Sequence, residues 1–467
     1  MKNNVTSVLG FAVFFLAVTL GSASSAAQVQ CTTGVCVTTW HNDNWRTSQN
    51  TNETTLTTTL VSDPTIFGKK CSVSLDDEIY GQPLVVTNVK FNQTTYPILA
   101  YVATEKNSVY AIDGTNCNVL PQGQAHLLLS GEAAADCHDL GNCNLAPKIG
   151  ILSTPVVEIT GTSPTTTGTL YAAAESESSG PVFHHRIWAL DITNLSVVNS
   201  GNGVEICASG CGTIPFAKNH LQRPGLLFLP AAQTADNKKR VYVAFSMLDG
   251  AGNDPNGFLL SFDASTLTNL PLKYETTDDS SGGRRGGIWQ GAAGPAAGVD
   301  SSTGSVNIFF STGDGDFNVD GSGGKNAANS FVKLTTTLAI PGGSYSPTNY
   351  FTPSDQCYRY YKDLDYGSGG VMLLPDGTHP NYPYLALKGE KLNYLWVMDR
   401  ANPGGFNAGG CTRQTDCSPT NGTVIGACAQ NNWANGNTQV IKATAGLNET
   451  RHSPAFWSGN TSSFVKG

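Results

Sequence analysis

Gln82-Pro83-Leu84-Val85-Val86, then Leu99 to Thr104, then Val109-Tyr110-Ala111-Ile112-Asp113 make up a phrase that the chain repeats. The openings recur at Thr154-Pro155-Val156-Val157, Arg223-Pro224-Gly225-Leu226-Leu227, Gly294-Pro295-Ala296-Ala297 and Gly369-Gly370-Val371-Met372-Leu373. Ser453-Pro454-Ala455-Phe456 begins a sixth, and the spacing is roughly 70 to 85 residues. Each opening is followed by an apolar run: Leu170 to Ala174, Val241 to Phe245, Val306 to Ser311, Tyr384 to Leu387. A second run then ends in Asp, at Asp113, Asp191, Asp263 and Asp399, while the fourth unit ends Phe331-Val332-Lys333-Leu334-Thr335. Short β-branched and aromatic runs separated by Gly, Asn and Asp predict antiparallel strands. Proline is tolerated at a strand's first residue, and the closing Asp can accept from the N–H groups of the next turn. One such sheet cannot bury both faces by itself. Copies packed radially bury each other and leave only short edges. The expected fold is all-β, a propeller of four-stranded antiparallel blades, six to eight in number and incomplete at the C-terminus. A sandwich would not repeat one phrase five times, and a β-helix has a much shorter period.

Composition agrees. Only 13% of the 467 residues are charged, the net charge is −8 and there are 51 glycines. There is no basic footprint for nucleic acid, and no sustained amphipathic helical pattern. Lys2, the apolar run Val8 to Leu20 and the small residues Ser22 to Ala27 have the three-part form of a secretory signal peptide. Residues 1–27 are therefore expected to be a signal, and residues 28–467 the propeller. The run falls short of the ~20 residues of a membrane-spanning helix, so the destination is secreted or periplasmic. The twelve cysteines suit an oxidising compartment. Cys31/Cys36, Cys137/Cys143, Cys207/Cys211 and Cys411/Cys417 are spaced for small loop-closing disulfides, and Cys71 and Cys117 flank the first repeat. Cys357 and Cys428 are left over, and sequence alone does not fix these pairings. No pair of Cys-x-x-Cys motifs is present, which argues against zinc. No Cys-x-x-Cys-His is present to attach haem.

The repeated phrase resembles that of propellers of the pyrroloquinoline-quinone (PQQ) type, from about Gln82 to Met398. The stretch Trp40-His41-Asn42-Asp43-Asn44-Trp45-Arg46-Thr47-Ser48 is similar to the Trp/Arg/Ser opening of quinoprotein propellers. The whole chain resembles a group of exported bacterial PQQ-repeat proteins more closely than the quinoprotein enzymes. That family includes quinone enzymes and cofactor-free scaffolds, so the resemblance speaks to fold more than to activity.

In quinoprotein alcohol dehydrogenases a Gly-Gly-x-x-Trp precedes a strand opening, and Thr-Gly-Asn follows the next strand. Gly286-Gly287-Ile288-Trp289 and Thr312-Gly313-Asp314 are similar to these. The resemblance implies Trp289 as a flat floor under PQQ and Asp314 as a calcium ligand. It implies Glu175 or Glu177 as a further ligand, and Arg186 and Lys391 as cations at quinone oxygens. The alternative reading of Trp289 is a packed propeller aromatic. The chain also departs from the family. Lys333 to Thr337 has no carboxylate where the family has its catalytic Asp, and the adjacent cysteine pair of the alcohol dehydrogenases is missing.

Asp316-Phe317-Asn318-Val319-Asp320-Gly321 matches the first half of a calcium loop, but the twelfth position is Ala327, not Glu. Tyr358, Tyr360, Tyr361 and Tyr366 lie near Asp363 and Asp365, an aromatic–acidic loop suited to a sugar. His184 and His185 read as turn or surface residues, and Gly282 to Gly287 as a flexible connection or an anion-binding mouth loop. The leading expectation is an exported binding or scaffold protein that takes a small molecule, glycan or protein at its mouth. The rival is a PQQ- and calcium-dependent dehydrogenase of alcohols or sugars. It requires Trp289, Asp314, Glu175 and Arg186 to converge on the central channel.

Overall fold

The structure, a computed structural model, describes residues 36–50, 53, 55–198, 201–207, 218–247, 256–268, 271–277, 285–300, 303–321, 323–392, 394–406, 438–442 and 453–456. The signal-like segment lies outside them. No helix among the described residues is long and apolar enough to cross a membrane.

Among the described residues five sheets follow one another along the chain, antiparallel except where Tyr350–Thr352 pairs in parallel with Gly405–Phe406 at the end of the fourth. The first joins Leu84–Phe91, Thr94–Ala103, Ser108–Asp113 and Val119–His126 in that order. Opening phrases start the first strands of the others, at Val156–Gly161, Leu227–Leu229, Ala296–Asp300 and Val371–Leu373. The apolar runs become the second strands and the Asp-terminated runs the third, as in Leu385–Gly389 beside Tyr394–Asp399. The second sheet exceeds four strands. Its long strand Thr167–Ser178 extends far enough to pair with Glu132–Asp136, which in turn pairs with Lys148–Ile149. Turn chemistry ends the third strands. Asp113 Oδ1 accepts from Thr115 N–H at 2.8 Å, and Asp191 Oδ1 from Thr193 N–H at 2.8 Å. In the fourth blade Thr335 Oγ1 takes over, accepting from Ala339 N–H at 3.1 Å.

Alternation along single strands shows that the sheets are blades. Leu170, Ala172 and Ala174 point into a core shared with the first sheet, while Tyr171 and Ala173 point into one shared with the third. Val241, Val243 and Phe245 face the second sheet, and Tyr242 and Ala244 face the fourth. Ile308 and Phe310 face the third, and Phe309 the fifth. The second, third and fourth sheets are thus each buried on both sides by their sequence neighbours, the radial packing of a propeller.

The segment 37–47 marks the axis. Its backbone meets the first strands in turn: Val37 pairs with Val85 of the first blade, and Thr38 O accepts from Val157 N–H of the second at 2.8 Å. Asn44 Nδ2 donates to Phe228 O of the third at 3.0 Å, and Asn44 O accepts from Ala297 N–H of the fourth at 2.7 Å. Trp45 O accepts from Leu373 N–H of the fifth, and Thr47 O from Phe456 N–H of the sixth opening, both at 2.8 Å. A peptide can touch every first strand only if those strands ring it.

Disulfides join Cys71 to Cys117 and Cys137 to Cys143. Cys36, Cys207 and Cys357 are also disulfide-bonded, so Cys357 is not left over. Cys31, Cys211, Cys411, Cys417 and Cys428 lie outside the described residues.

Candidate functional site

Trp289 and Asp314 come together because two glycine-rich segments run side by side. Gly286 N–H donates to Asp314 O and Gly313 N–H to Gly287 O, both at 2.8 Å, and Ile288 N–H is held by Phe245 O at 3.1 Å. Gly286 has φ +78°, and a Cβ there would sit 2.9 Å from Thr276 Oγ1. Only glycine suits this crossing.

A short helix, α1 (Gln356–Lys362), delivers the opposite wall. It is fixed by Arg359, fully buried, which pairs with Asp355 and Glu390 at 2.6 Å each. Asp363 ends the helix in the left-handed region (φ 54°, ψ 46°), which Asp tolerates better than most residues. That reversal turns Asp363 and Asp365 towards Asp314. One carboxylate oxygen from each of the three lies within 4.8 Å of the other two. Two cations flank the cluster. Arg285 Nη1 is 3.1 Å from Asp314 Oδ2, and Lys391 Nζ is 2.8 Å from Asp363 Oδ2 and 3.5 Å from Asp365 Oδ2. Burial, and then the Asp365 carboxylate, push the Asp314 carboxyl up to about 8 against the pull of Arg285.

The cluster opens on a cavity of about 120 Å³, lined among others by Trp289, Asp314, Asp365, Ser368, Ser246 and Asn144. Trp289 also packs beside Tyr80 and Leu145 over a small apolar cluster. The Arg223 guanidinium lies 5.6 Å from its ring centroid and 5.0 Å from that of Tyr80. Both readings of Trp289 thus have a basis, a packed aromatic and a pocket wall.

The other sequence candidates lie elsewhere, except Lys391 at the acidic cluster. Arg186 is on the second blade, bound to Glu132 at 2.7 Å and Glu205 at 2.9 Å, and His184 joins the same network. Neither lines the cavity. Glu175 is fully buried on the same blade, and the carboxylates acting on it are Glu105 and Glu177 rather than Asp314. Asp316, Asn318 and Asp320 sit in a loop closed by a Phe317–Ala327 bridge, with Asn318 Oδ1 accepting from Asn326 N–H at 2.8 Å. Val319 and Gly321 of that loop line a different cavity of about 590 Å³, beside Tyr274 and Tyr345. The convergence of Trp289, Asp314, Glu175 and Arg186 is therefore not found. What joins Asp314 is the loop of Asp363 and Asp365. Its acidic and aromatic content was legible in the sequence, but its destination was not.

No protein-family description matches the sequence, and no curated protein does. Similar solved structures include a quinohemoprotein alcohol dehydrogenase from Pseudomonas putida HK5, at 13% identity over 79% of this chain and 47% of that one, TM-score 0.41. A europium-containing methanol dehydrogenase matches at 14% identity over 79% and 57%, TM-score 0.46. BamB from Moraxella catarrhalis matches at 14% over 70% and 75%, TM-score 0.26. The chain spans about half the length of the two dehydrogenases. The fold and site define a β-propeller with an acidic, tryptophan-walled pocket at its mouth.

Proposed function

We propose that this is an exported propeller that binds Ca²⁺ between Asp314, Asp363 and Asp365, and through that ion a small polar ligand lying against Trp289. The observation that carries the reading is the approach of three carboxylate oxygens to within 4.8 Å of one another. Ca²⁺ takes oxygen ligands at about 2.3–2.6 Å, so ligands on opposite sides of the ion are up to about 5 Å apart. Arg285 and Lys391 offset part of the negative charge and leave room for an anionic or hydroxyl-bearing ligand on the ion. Export fits the Cys71–Cys117 and Cys137–Cys143 bonds and the further bonded Cys36, Cys207 and Cys357, since disulfides persist in oxidising compartments.

The residues fit a cation better than they fit PQQ. A cavity of about 120 Å³ is well below the roughly 300–1,000 Å³ of pockets that enclose drug-sized ligands. Arg223 lies over the Trp289 ring, and Arg186 is engaged by Glu132 and Glu205. No redox step is assigned.

The test is calorimetric titration of the chelator-treated full chain with CaCl₂, beside Asp314→Asn/Asp363→Asn. The double variant should lose one equivalent of Ca²⁺. An unchanged stoichiometry would end the reading. Saturable binding of PQQ to the Ca²⁺-loaded protein would restore the quinone alternative.

A further inference from the structure

Away from the mouth cluster, four buried side chains gather around the peptide of Gly150. Gly150 N–H donates to Glu105 Oε2 at 2.8 Å. Gly150 O accepts from Glu175 N–H at 3.1 Å and from Gln222 Nε2 at 2.6 Å. Asn107 Nδ2 donates to Glu175 O at 2.7 Å. A Cβ on Gly150 would lie 2.3 Å from Glu105 O and 2.7 Å from Asn107 Oδ1, so only glycine lets this peptide come so close to those oxygens.

Glu105, Glu175 and Asn107 are 0% exposed and Gln222 is 1%. Even so, five of their oxygens accept no hydrogen bond: both of Glu175, Glu105 Oε1, Asn107 Oδ1 and Gln222 Oε1. Among the described residues His185 Nε2 lies 4.0 Å from Glu175 Oε1, and Lys218 acts on the carboxylate without an ion pair. Arg223 acts on Glu105, yet its own Nε and Nη1 make no hydrogen bond. Buried acceptors are nearly always satisfied, and a buried carboxylate demands a partner more strongly than a neutral group does. One orphaned oxygen is a local defect, but five on four buried side chains tied to the Gly150 peptide and its Glu175 neighbour make a donor set.

Carboxylate and amide oxygens together are the ligands of hard cations, and two carboxylates match a divalent charge. We propose that Glu105, Glu175, Asn107 and Gln222 form a second, buried Ca²⁺ site, separate from the mouth cluster. Glu105 and Asn107 follow the second strand of the first blade, Glu175 lies on the second blade, and Gln222 leads into the third. An ion there ties three blades together, so its role is structural.

The experiment uses the full chain carrying Asp314→Asn and Asp363→Asn, which disables the mouth. After chelator treatment, calorimetry with CaCl₂ should find one remaining equivalent, and Ca²⁺ should raise Tm relative to EDTA. Adding Glu175→Gln, which keeps the side chain's shape, should abolish both effects. If that variant does not fold, Asn107→Ser replaces it and should weaken Ca²⁺ at least tenfold. The site is overturned if the mouth-disabled chain binds no Ca²⁺, or if the substitution made at Glu175 or Asn107 leaves affinity and Tm shift unchanged.

Discussion

Arg46 donates twice to one carbonyl, that of Pro295, from Nε at 3.0 Å and from Nη2 at 2.8 Å. Its remaining donors reach Leu226 O at 3.3 Å, Trp40 O at 3.0 Å and Thr39 Oγ1 at 2.7 Å. One guanidinium thus joins the axial peptide to the opening phrases of the third and fourth blades. Burial lowers its pKa to about 10, and Asp43 opposes that shift, so it stays charged at neutral pH. The cost of burial is offset by carbonyls that only a planar fork reaches together. Gly294, before Pro295, allows the approach, since a Cβ there would sit 2.8 Å from Arg46 Nη2. Arg46→Ala should cost on the order of 3–5 kcal/mol, because it strands several buried carbonyls. Arg46→Lys should cost less but not be neutral. Urea unfolding of the three proteins checks the order, and a surface-like loss below about 1 kcal/mol for Arg46→Ala would remove Arg46 from the axis.

The axial peptide also shows how far the sequence could be read. The repeated phrases carry their strands locally: apolar alternation, proline at the entry and aspartate at the exit all act within a few residues. Gln82-Pro83 therefore leads into Leu84–Phe91, and Val109-Tyr110-Ala111-Ile112-Asp113 lies within Ser108–Asp113. Trp289 and Asp314 were linked only through the resemblance of their motifs to those of quinoprotein dehydrogenases, and the crossing of their two glycine-rich segments shows only in the structure. Nothing local ties Asp363 and Asp365 to Asp314. Their meeting depends on a seven-residue helix, a left-handed aspartate and the buried Arg359 pair, none of which leaves a periodic trace. Arg186 fails for a related reason. Its position by resemblance says nothing of Glu132 and Glu205, which lie on strands paired to its own sheet.

Gly367 gives a sharper test of the mouth. A Cβ there would lie 2.5 Å from Gly313 N and from Thr312 C and O. These are backbone atoms, so the loop carrying Asp365 must shift. Gly367→Ala should move Asp365 away from Asp314 and weaken the mouth's Ca²⁺ binding by more than tenfold. The strain falls on one contact between the fourth and fifth blades and spares the axial peptide, so the loss of stability should stay within about 1–3 kcal/mol. Calorimetry reads the affinity and urea unfolding the stability. Unchanged Ca²⁺ binding would mean that the spacing of the three carboxylates is not what holds the ion.

Cys71–Cys117 closes a separation of 46 residues and anchors the segment before the first blade. That segment exposes Ile66 (65%) and Phe67 (51%) and has few buried groups to hold it. In the chain-entropy view, cross-links over loops of this length contribute about 4 kcal/mol. Cys71→Ser/Cys117→Ser should therefore unfold at distinctly lower urea, and limited proteolysis should cut first between residues 55 and 80. Cuts within the blades at the same rate would argue that the bridge supports the whole fold instead.

Lys388 makes a pH dependence that can be signed. It is 0% exposed, donates to Gly389 O at 2.9 Å and to Tyr366 O, and lies 3.7 Å from the Tyr366 ring centroid. Burial lowers its pKa to about 7, with Glu390 and Asp365 opposing the shift and Arg359 adding to it. In the unfolded chain an ordinary lysine holds its proton to about 10.4. Below pH 7 both states are protonated. Between about 7 and 10.4 the unfolded state binds more protons than the folded one, so stability rises with pH through that window. One proton contributes at most about 1.4 kcal/mol per pH unit. Lys388→Met lacks the group, so the difference in unfolding free energy between wild type and variant should move in favour of the wild type from pH 7 to pH 9. Urea unfolding at pH 7, 8 and 9 measures it. A difference that stays flat over that range would mean Lys388 keeps its proton in the folded protein, held by Glu390 more firmly than burial opposes.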